Sequence, residues 1–325
     1  MRLPFTLLVA LLTVAGSPRP MAALPSPNDR AAVTANPLWE PPGPRDRDTF
    51  NGPWGAEAAP DPAAVYTFIR RKESGVNPGV IVRDPHGRVW HVKQAPRSDQ
   101  GAEGPVEVAL SRVLSAMGYH QPPVYYLGSF LMNDGSGVHA ASGGRFRLTD
   151  PSLRSRGNWS WKDPTVRGTR PYNALLTILL VFTSWDLKDS NNEIYDLSRD
   201  GLTSRWYVVR DLGGALGDSG RYWVKRNNIE EFEGEPYIAG WRNGFVHFDY
   251  NGKRPDLVRN LVTLDDLRWA TALLQSLSDQ QWHDAFRAGG YGANISDRFI
   301  RKIKSNIQQA HQLTGAVASV ASRKR

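Results

Sequence analysis

Between residues 65 and 150 the chain alternates apolar and polar positions at strand period. Val80-Ile81-Val82 and Val89-Trp90-His91-Val92-Lys93 flank Asp84-Pro85-His86-Gly87, which predicts two strands joined by a tight turn. Pro105 suits a first helical position. Val106, Leu110, Val113, Leu114 and Met117 then recur at helical spacing until Gly118 supplies a stop. Val124 to Phe130 and Arg145 to Leu148 read as further strands around the turn-rich Asn133-Asp134-Gly135-Ser136-Gly137. A basic, tryptophan-containing loop from Arg154 to Arg170 precedes Tyr172 to Thr183, a helix apolar enough to be buried on most sides. Glu193 to Leu197 and Arg205 to Arg210 flank Ser198-Arg199-Asp200-Gly201 as a second hairpin. The last hundred residues read as helices. Thr263-x-x-Asp266 and Ser278-x-x-Gln281 resemble capping boxes, and Trp269, Leu273, Trp282 and Phe286 lie on the apolar faces. No internal repeat is present. The pattern predicts an α+β protein: an antiparallel sheet with one helix over 64–150, a mainly helical part over 151–315, and a basic tail over 316–325.

The first 63 residues differ in kind. Arg2, the apolar run from Leu3 to Val14, and the small residues Ala15, Gly16, Ser17, Ala22 and Ala23 have the layout of a secretory signal over 1–23. The run is shorter than the roughly 20 residues a membrane-spanning helix needs, so the expectation is an exported protein, periplasmic or extracellular, without a transmembrane anchor after cleavage. Residues 24–63 carry nine prolines and little apolar periodicity, which predicts an extended lead-in.

With 325 residues and 40% hydrophobic content the chain can bury a large core. It has no cysteine, which excludes disulfides, thiolate zinc sites, cysteine lipidation and a cysteine nucleophile. The formal charge is +8, and removing residues 1–23 takes away Arg2 and Arg19 and no acid, leaving +6. This balance favours anionic partners without choosing among them. The seven histidines show no metal-ligand spacing.

Phosphoryl transfer needs a cation for the phosphates, oxygen ligands for a divalent metal and a group near the acceptor hydroxyl. Lys93 ends a strand, where its ammonium extends from a rigid edge, and Glu107 lies on the next helix, with Glu103 the alternative partner. Asp186-Leu187-Lys188-Asp189-Ser190-Asn191 leaves the buried helix, and Asp211-Leu212-Gly213 follows a strand. Singly, each is ordinary: a strand-end lysine, an acid near a helix start, a surface ion pair, turn chemistry. Their order and spacing are what point to phosphoryl chemistry.

The Asp-Leu-Lys-x-x-Asn and Asp-Leu-Gly runs, behind Lys93 and Glu107, resemble the catalytic and metal-binding motifs of the protein-kinase-like superfamily, with looser features most like its HipA-type and phosphatidylinositol 3- and 4-kinase-like branches. The resemblance spans about residues 65 to 310. It implies a two-lobed fold binding ATP with Mg2+, Mn2+ being an acceptable substitute. Lys93 and Glu107 become the phosphate-binding ion pair, Asp186 the catalytic base, Lys188 a γ-phosphate contact, and Asn191 and Asp211 the metal ligands. Departures are plain. Ser184-Trp185 replaces the usual His-Arg before the aspartate, and neither Gly-x-Gly-x-x-Gly nor Ala-Pro-Glu occurs. The nearest phosphate-covering segment is Glu73 to Gly79, with Ser74 and Gly75 as its binding residues.

The implied partners are a nucleotide and a hydroxyl-bearing protein, lipid or small molecule. The basic stretch from Arg154 to Arg170 favours an anionic acceptor, and no nucleic acid is expected. Two alternatives stand beside this: an inactive kinase-fold binding protein of the cell envelope, and a nucleotidyl transferase using the same residues.

Overall fold

The computed structural model describes residues 36–73, 75, 77–96, 102–219 and 225–322. Ser74 and the whole of the 1–23 segment lie outside the described residues. The architecture is mixed α+β, with ten strands in three sheets and six α-helices among the described residues.

The first five strands are β1 (Val65–Arg71), β2 (Gly79–Arg83), β3 (Val89–Gln94), β4 (Val124–Asn133) and β5 (Val138–Leu148), and they close into a barrel in the order β1-β2-β3-β5-β4. Closure comes from a parallel pairing of β1 with β4, Val65 opposite Leu131 and Thr67 opposite Asn133. The predicted β2–β3 turn forms because Asp84 organises it. Its carboxylate accepts from the His86 and Arg88 amides, while Gly87 takes φ +82°. Alternation sends Val80, Val82, Trp90, Val92 and Phe146 into the barrel core.

Helix α1 (Glu103–Ala116) crosses the barrel from β3 to β4 and begins two residues before Pro105. The other helices are α2 (Arg170–Val181), α3 (Ile229–Gly234), α4 (Leu264–Gln275), α5 (Asp279–Ala288) and α6 (Ala293–Ser322). Both predicted capping boxes are present, Thr263 with Asp266 and Ser278 with Gln281. Every residue of α2 from Pro171 to Val181 is buried, as its unbroken apolar run requires. This helix anchors a second core shared with α1, α4, α5 and α6.

Two features differ from the sequence expectation. Leu153–Gly157 forms a strand, β6, inside the segment expected to be a loop. It pairs with β7 (Asn192–Arg199), which pairs with β8 (Leu202–Val209), and a small hairpin joins β9 (Ile238–Arg242) to β10 (Phe245–Phe248). The proline-rich stretch, from residue 36 on, is irregular but packed rather than a free lead-in. Leu38 and Trp39 are buried in the helical core, and the Trp39 indole donates to the Met117 carbonyl at 2.6 Å. Burial of Leu38 and of the hydrogen-bonded Trp39 indole outweighs the stiffness that the prolines impose. No helix among the described residues is long and apolar enough to cross a membrane.

Candidate functional site

Lys93 lies on the outer face of the barrel because Val92 and Trp90 face inward. The register sets Gly79 on one side of it and Arg145 on the other. Above this face sits the first turn of α1, and Gly104 is what lets it approach. A Cβ on Gly104 would lie 2.9 Å from the Arg145 backbone nitrogen. Glu103 and Glu107, four residues apart on one helix face, are thereby both delivered to the lysine.

The resulting network is dense. The Lys93 ammonium, 6% exposed, pairs with Glu107, with Glu103 Oε2 at 2.6 Å and with Asp211 Oδ1 at 2.9 Å. Glu107 also accepts from Arg145 Nε at 2.7 Å, and Glu103 pairs with Arg226 at 2.5 Å. Three carboxylates therefore face three cations. Burial alone would lower the Lys93 pKa, but Glu107, Asp211 and Glu103 outweigh it and raise it above the ordinary lysine value. Burial likewise works to raise Asp211, yet Lys93 and Arg145 hold its carboxyl below the usual range.

Asp186 is reached from the other side. Helix α2 ends into Trp185, whose amide donates to the Gly214 carbonyl at 3.1 Å. The loop doubles back, with the Lys188 amide donating to the Asp186 carbonyl at 2.8 Å. Asn191 then binds its own loop, its amide nitrogen donating to the Asp186 carbonyl at 2.6 Å and to Asp186 Oδ2 at 3.3 Å. The Asn191 carbonyl accepts from both the Arg210 and Asp211 amides, at 2.9 and 3.2 Å, so the two motifs are joined through one backbone oxygen. Two ammonium groups flank the Asp186 carboxylate, Lys188 at 2.8 Å from Oδ2 and Lys253 at 3.0 Å from Oδ1. Burial opposes a charged Lys188, and its bond to Asp186 overcomes that and raises its pKa.

Of the residues expected from sequence, Lys93, Glu107, Asp186, Lys188, Asn191 and Asp211 are brought together. Lys93, Glu107 and Asp211 touch directly; Asp186, Lys188 and Asn191 form one loop joined to Asp211. Gly75 takes φ +87° in the loop between β1 and β2, where a Cβ would meet Lys72 Nζ at 2.8 Å. Ser74 falls outside the described residues. Glu103, weighed only as the alternative to Glu107, contacts Lys93 alongside it.

Several partners were not legible in sequence. The missing His-Arg tether is replaced by residues 250–253: the Tyr250 hydroxyl lies 3.0 Å from the Trp185 carbonyl, the Lys253 amide donates to that carbonyl at 2.7 Å, and the Lys253 ammonium stands 5.0 Å over the Trp185 ring. Asp189 accepts from the Ser160 hydroxyl at 2.8 Å and the Trp161 amide at 3.1 Å, which pins the basic segment beside the Asp186 loop. The only available signals were an acid between aromatics at His247-Phe248-Asp249-Tyr250 and a Ser-Trp run, neither of which carries a position.

The donor set fits a hard divalent cation. Carboxylate oxygens of Glu103, Glu107 and Asp211 lie within 4.8 Å of one another. Asp186 Oδ1 is buried and has no hydrogen bond of good geometry, Lys253 sitting at ion-pair distance but off the hydrogen-bonding direction. The Asn191 amide nitrogen is committed to Asp186, which leaves its oxygen for another partner. All of these are oxygen donors, the type Mg2+ and Mn2+ prefer.

No family model matches the chain, and no curated protein does. Among solved structures it is similar to the Helicobacter pylori proinflammatory kinase CtkA, with 11% identity and a TM-score of 0.43 over 78% of this chain and 98% of that one. It is also similar to the golgi casein kinase, with 10% identity and a TM-score of 0.41 over 79% of this chain and 75% of that one.

Proposed function

We propose that this chain is an ATP- and Mg2+-dependent phosphotransferase on a two-lobed protein-kinase-like fold, moving a γ-phosphoryl group to a hydroxyl. The observation that carries this reading is the junction at Asn191: one backbone oxygen holds the Asp186 loop against Asp211, and Asp211 in turn touches Lys93. A binding module has no need to place an acceptor-side carboxylate, an amide ligand and a phosphate-side lysine around one point.

In this reading Lys93 holds the α and β phosphates and Glu103 and Glu107 hold Lys93. Asp211 and the Asn191 amide oxygen would hold the metal, which supplies charge neutralisation between the β and γ phosphates. Asp186 orients the acceptor hydroxyl and takes its proton as the new O–P bond forms and the bond to ADP breaks. Lys188 meets the γ-phosphoryl oxygens. The cluster of three carboxylates and three cations is electrically balanced and so has little attraction for a bare divalent ion. Asp211 and Asn191 would accordingly take the metal together with the nucleotide rather than alone. The basic segment pinned by Asp189 favours an anionic acceptor, and the signal-like layout of residues 1–23 supports the reading that the chain acts after export.

The test is a thermal shift of the purified chain with MgATP, repeated for Asp211→Ala, followed by transfer of label to envelope fractions. Stabilisation lost in the variant, with label passing from γ- but not α-labelled ATP, is the expected result. Label passing from α-labelled ATP selects nucleotidyl transfer, and no stabilisation at all returns the chain to the binding-protein reading.

A further inference from the structure

A cavity of about 370 Å3 opens on the outer face of the barrel beside Lys93. Two rungs of the sheet form its wall. The near rung is Lys93 opposite Arg145, and the far rung is His91 opposite Arg147, two residues along each strand and on the order of 7 Å away. Lys72, Arg210, Arg70 and Glu73 also line it, the last two exposed and paired with each other at 3.0 Å.

The near rung is neutralised by Glu103, Glu107 and Asp211, and Arg210 pairs with Glu193 at 2.8 Å. The far rung has no such partner. Among the described residues no carboxylate lies within ion-pair distance of Arg147, nor of Lys72. These groups press on one another. Burial and the guanidinium groups of Arg145 and Arg210 lower Arg147 to about 10, and burial with Lys93 and Arg145 lowers Lys72. His91 falls to about 4, through burial and then Arg147, Arg145, Arg70 and Arg210. An ammonium and a guanidinium set against like charge in a recess destabilise the chain unless an anion fills it.

We infer that the ligand of this cavity carries a second anionic group, seated on Arg147 at the far rung, in addition to the phosphates held by Lys93. A neutral base alone would leave Arg147 desolvated and unpaired. The chemistry is a phosphate attached at the end remote from the transferred group. It arises either from a nucleotide phosphorylated on its sugar or from an inorganic polyphosphate longer than three units. The inference rests on the phosphotransferase reading only for where the first phosphates sit.

Calorimetric titration of the full chain in excess Mg2+, at fixed ionic strength, tests it with two matched pairs: ATP against adenosine 3′-phosphate 5′-triphosphate, and inorganic tripolyphosphate against a longer inorganic polyphosphate. A charge-assisted contact of about 1.5 kcal/mol or more corresponds to at least about tenfold tighter binding of the extra phosphate in one pair. Whichever pair shows the gain identifies its source. Arg147→Gln should bring the ratio in that pair to about one, and Arg147→Lys should restore part of it. The melting temperature of unliganded Arg147→Gln should hold or rise, since the substitution removes repulsion. A ratio near one in both wild-type pairs overturns the inference, whatever the variants do, and leaves the ATP reading standing. Failure of all four ligands to bind overturns both. A gain with the longer polyphosphate and no binding of either nucleotide keeps the second anionic group and replaces ATP as the donor.

Discussion

Glu107 divides its two oxygens between two buried cations, Lys93 on Oε1 and Arg145 on Oε2, and is itself 2% exposed. Glu107→Gln keeps the shape but replaces one acceptor by an NH2 group, so whichever way the amide turns it sets a donor against Lys93 or Arg145. Removing one member of a buried charge network costs about 3–5 kcal/mol, because the partner is left desolvated. In a chain of this size each kcal/mol lowers the melting temperature by about 2 °C, which gives a drop of about 6–10 °C by circular dichroism. A cycle sharpens the point. With Glu107→Leu and Arg145→Met together, Lys93 and Arg226 still face Glu103 and Asp211, two charges against two. The double variant should therefore be more stable than the sum of the singles by about 1–3 kcal/mol. A drop below about 2 °C for Glu107→Gln, or strictly additive singles, would refute the view that this carboxylate neutralises both cations.

A Cβ on Gly213 would stand 2.5 Å from Glu103 Cβ, so Gly213→Ala must push Glu103 off Lys93 and Arg226; MgATP affinity measured by titration should fall about tenfold, and an unchanged affinity counts against the placement. Tyr250→Phe removes the hydroxyl that lies between the Trp185 and Lys253 carbonyls; label transfer should slow about tenfold with nucleotide affinity kept, whereas a parallel loss of both would make Tyr250 merely structural. Burial holds His91 near 4 and His120 near 3, both below the ordinary 6.5, so the unfolded chain takes up their protons first as pH falls. Their neutral forms contribute stability above about pH 6.5 that is lost on descent toward pH 4, and the melting temperature should decline from pH 7 to pH 5 in wild type but less in a His91→Gln/His120→Gln variant.

What the sequence made legible was local. The β2–β3 hairpin is determined within ten residues by Asp84 and Gly87, and the two capping boxes within four, so pattern and structure agree there. Strand β6 reads Leu-Arg-Ser-Arg-Gly, a poor strand former. It exists because β7 lies beside it and Asp196 receives Arg156, a contact 40 residues away. The first half of β5, Val-His-Ala-Ala-Ser-Gly-Gly, is likewise held by its pairing with β4 rather than by propensity. In the site, motif order named Lys93, Asp186, Asn191 and Asp211, and the fold brings these four into one connected set. The choice between Glu103 and Glu107 was not decidable in principle, because residues four apart share a helix face and the close approach at Gly104 admits both. Tyr250 and Lys253 had no signal, since they act through a carbonyl some 65 residues distant in the chain.

The two halves of the site are joined through Asn191 and Asp211 and through the pairing of Glu103 with Arg226. One half belongs to the barrel and α1: Lys93, Glu103, Glu107 and Arg145 are fixed by strand register and by one helix face. The other half, with Asp186, belongs to the end of α2 and the loop after it, fixed by Trp185, Tyr250 and Lys253. Between them run the two amides that Asn191 accepts and the contact of Lys93 with Asp211. The Asp211 side chain is 40% exposed, and its backbone amide is held by the Asn191 carbonyl. In the phosphotransferase reading proposed above, phosphate at Lys93 would supply the negative charge that Asp211 now provides, and Asp211 would then be free to hold a divalent metal. Glu103 and Glu107 would keep Lys93 paired throughout such an exchange.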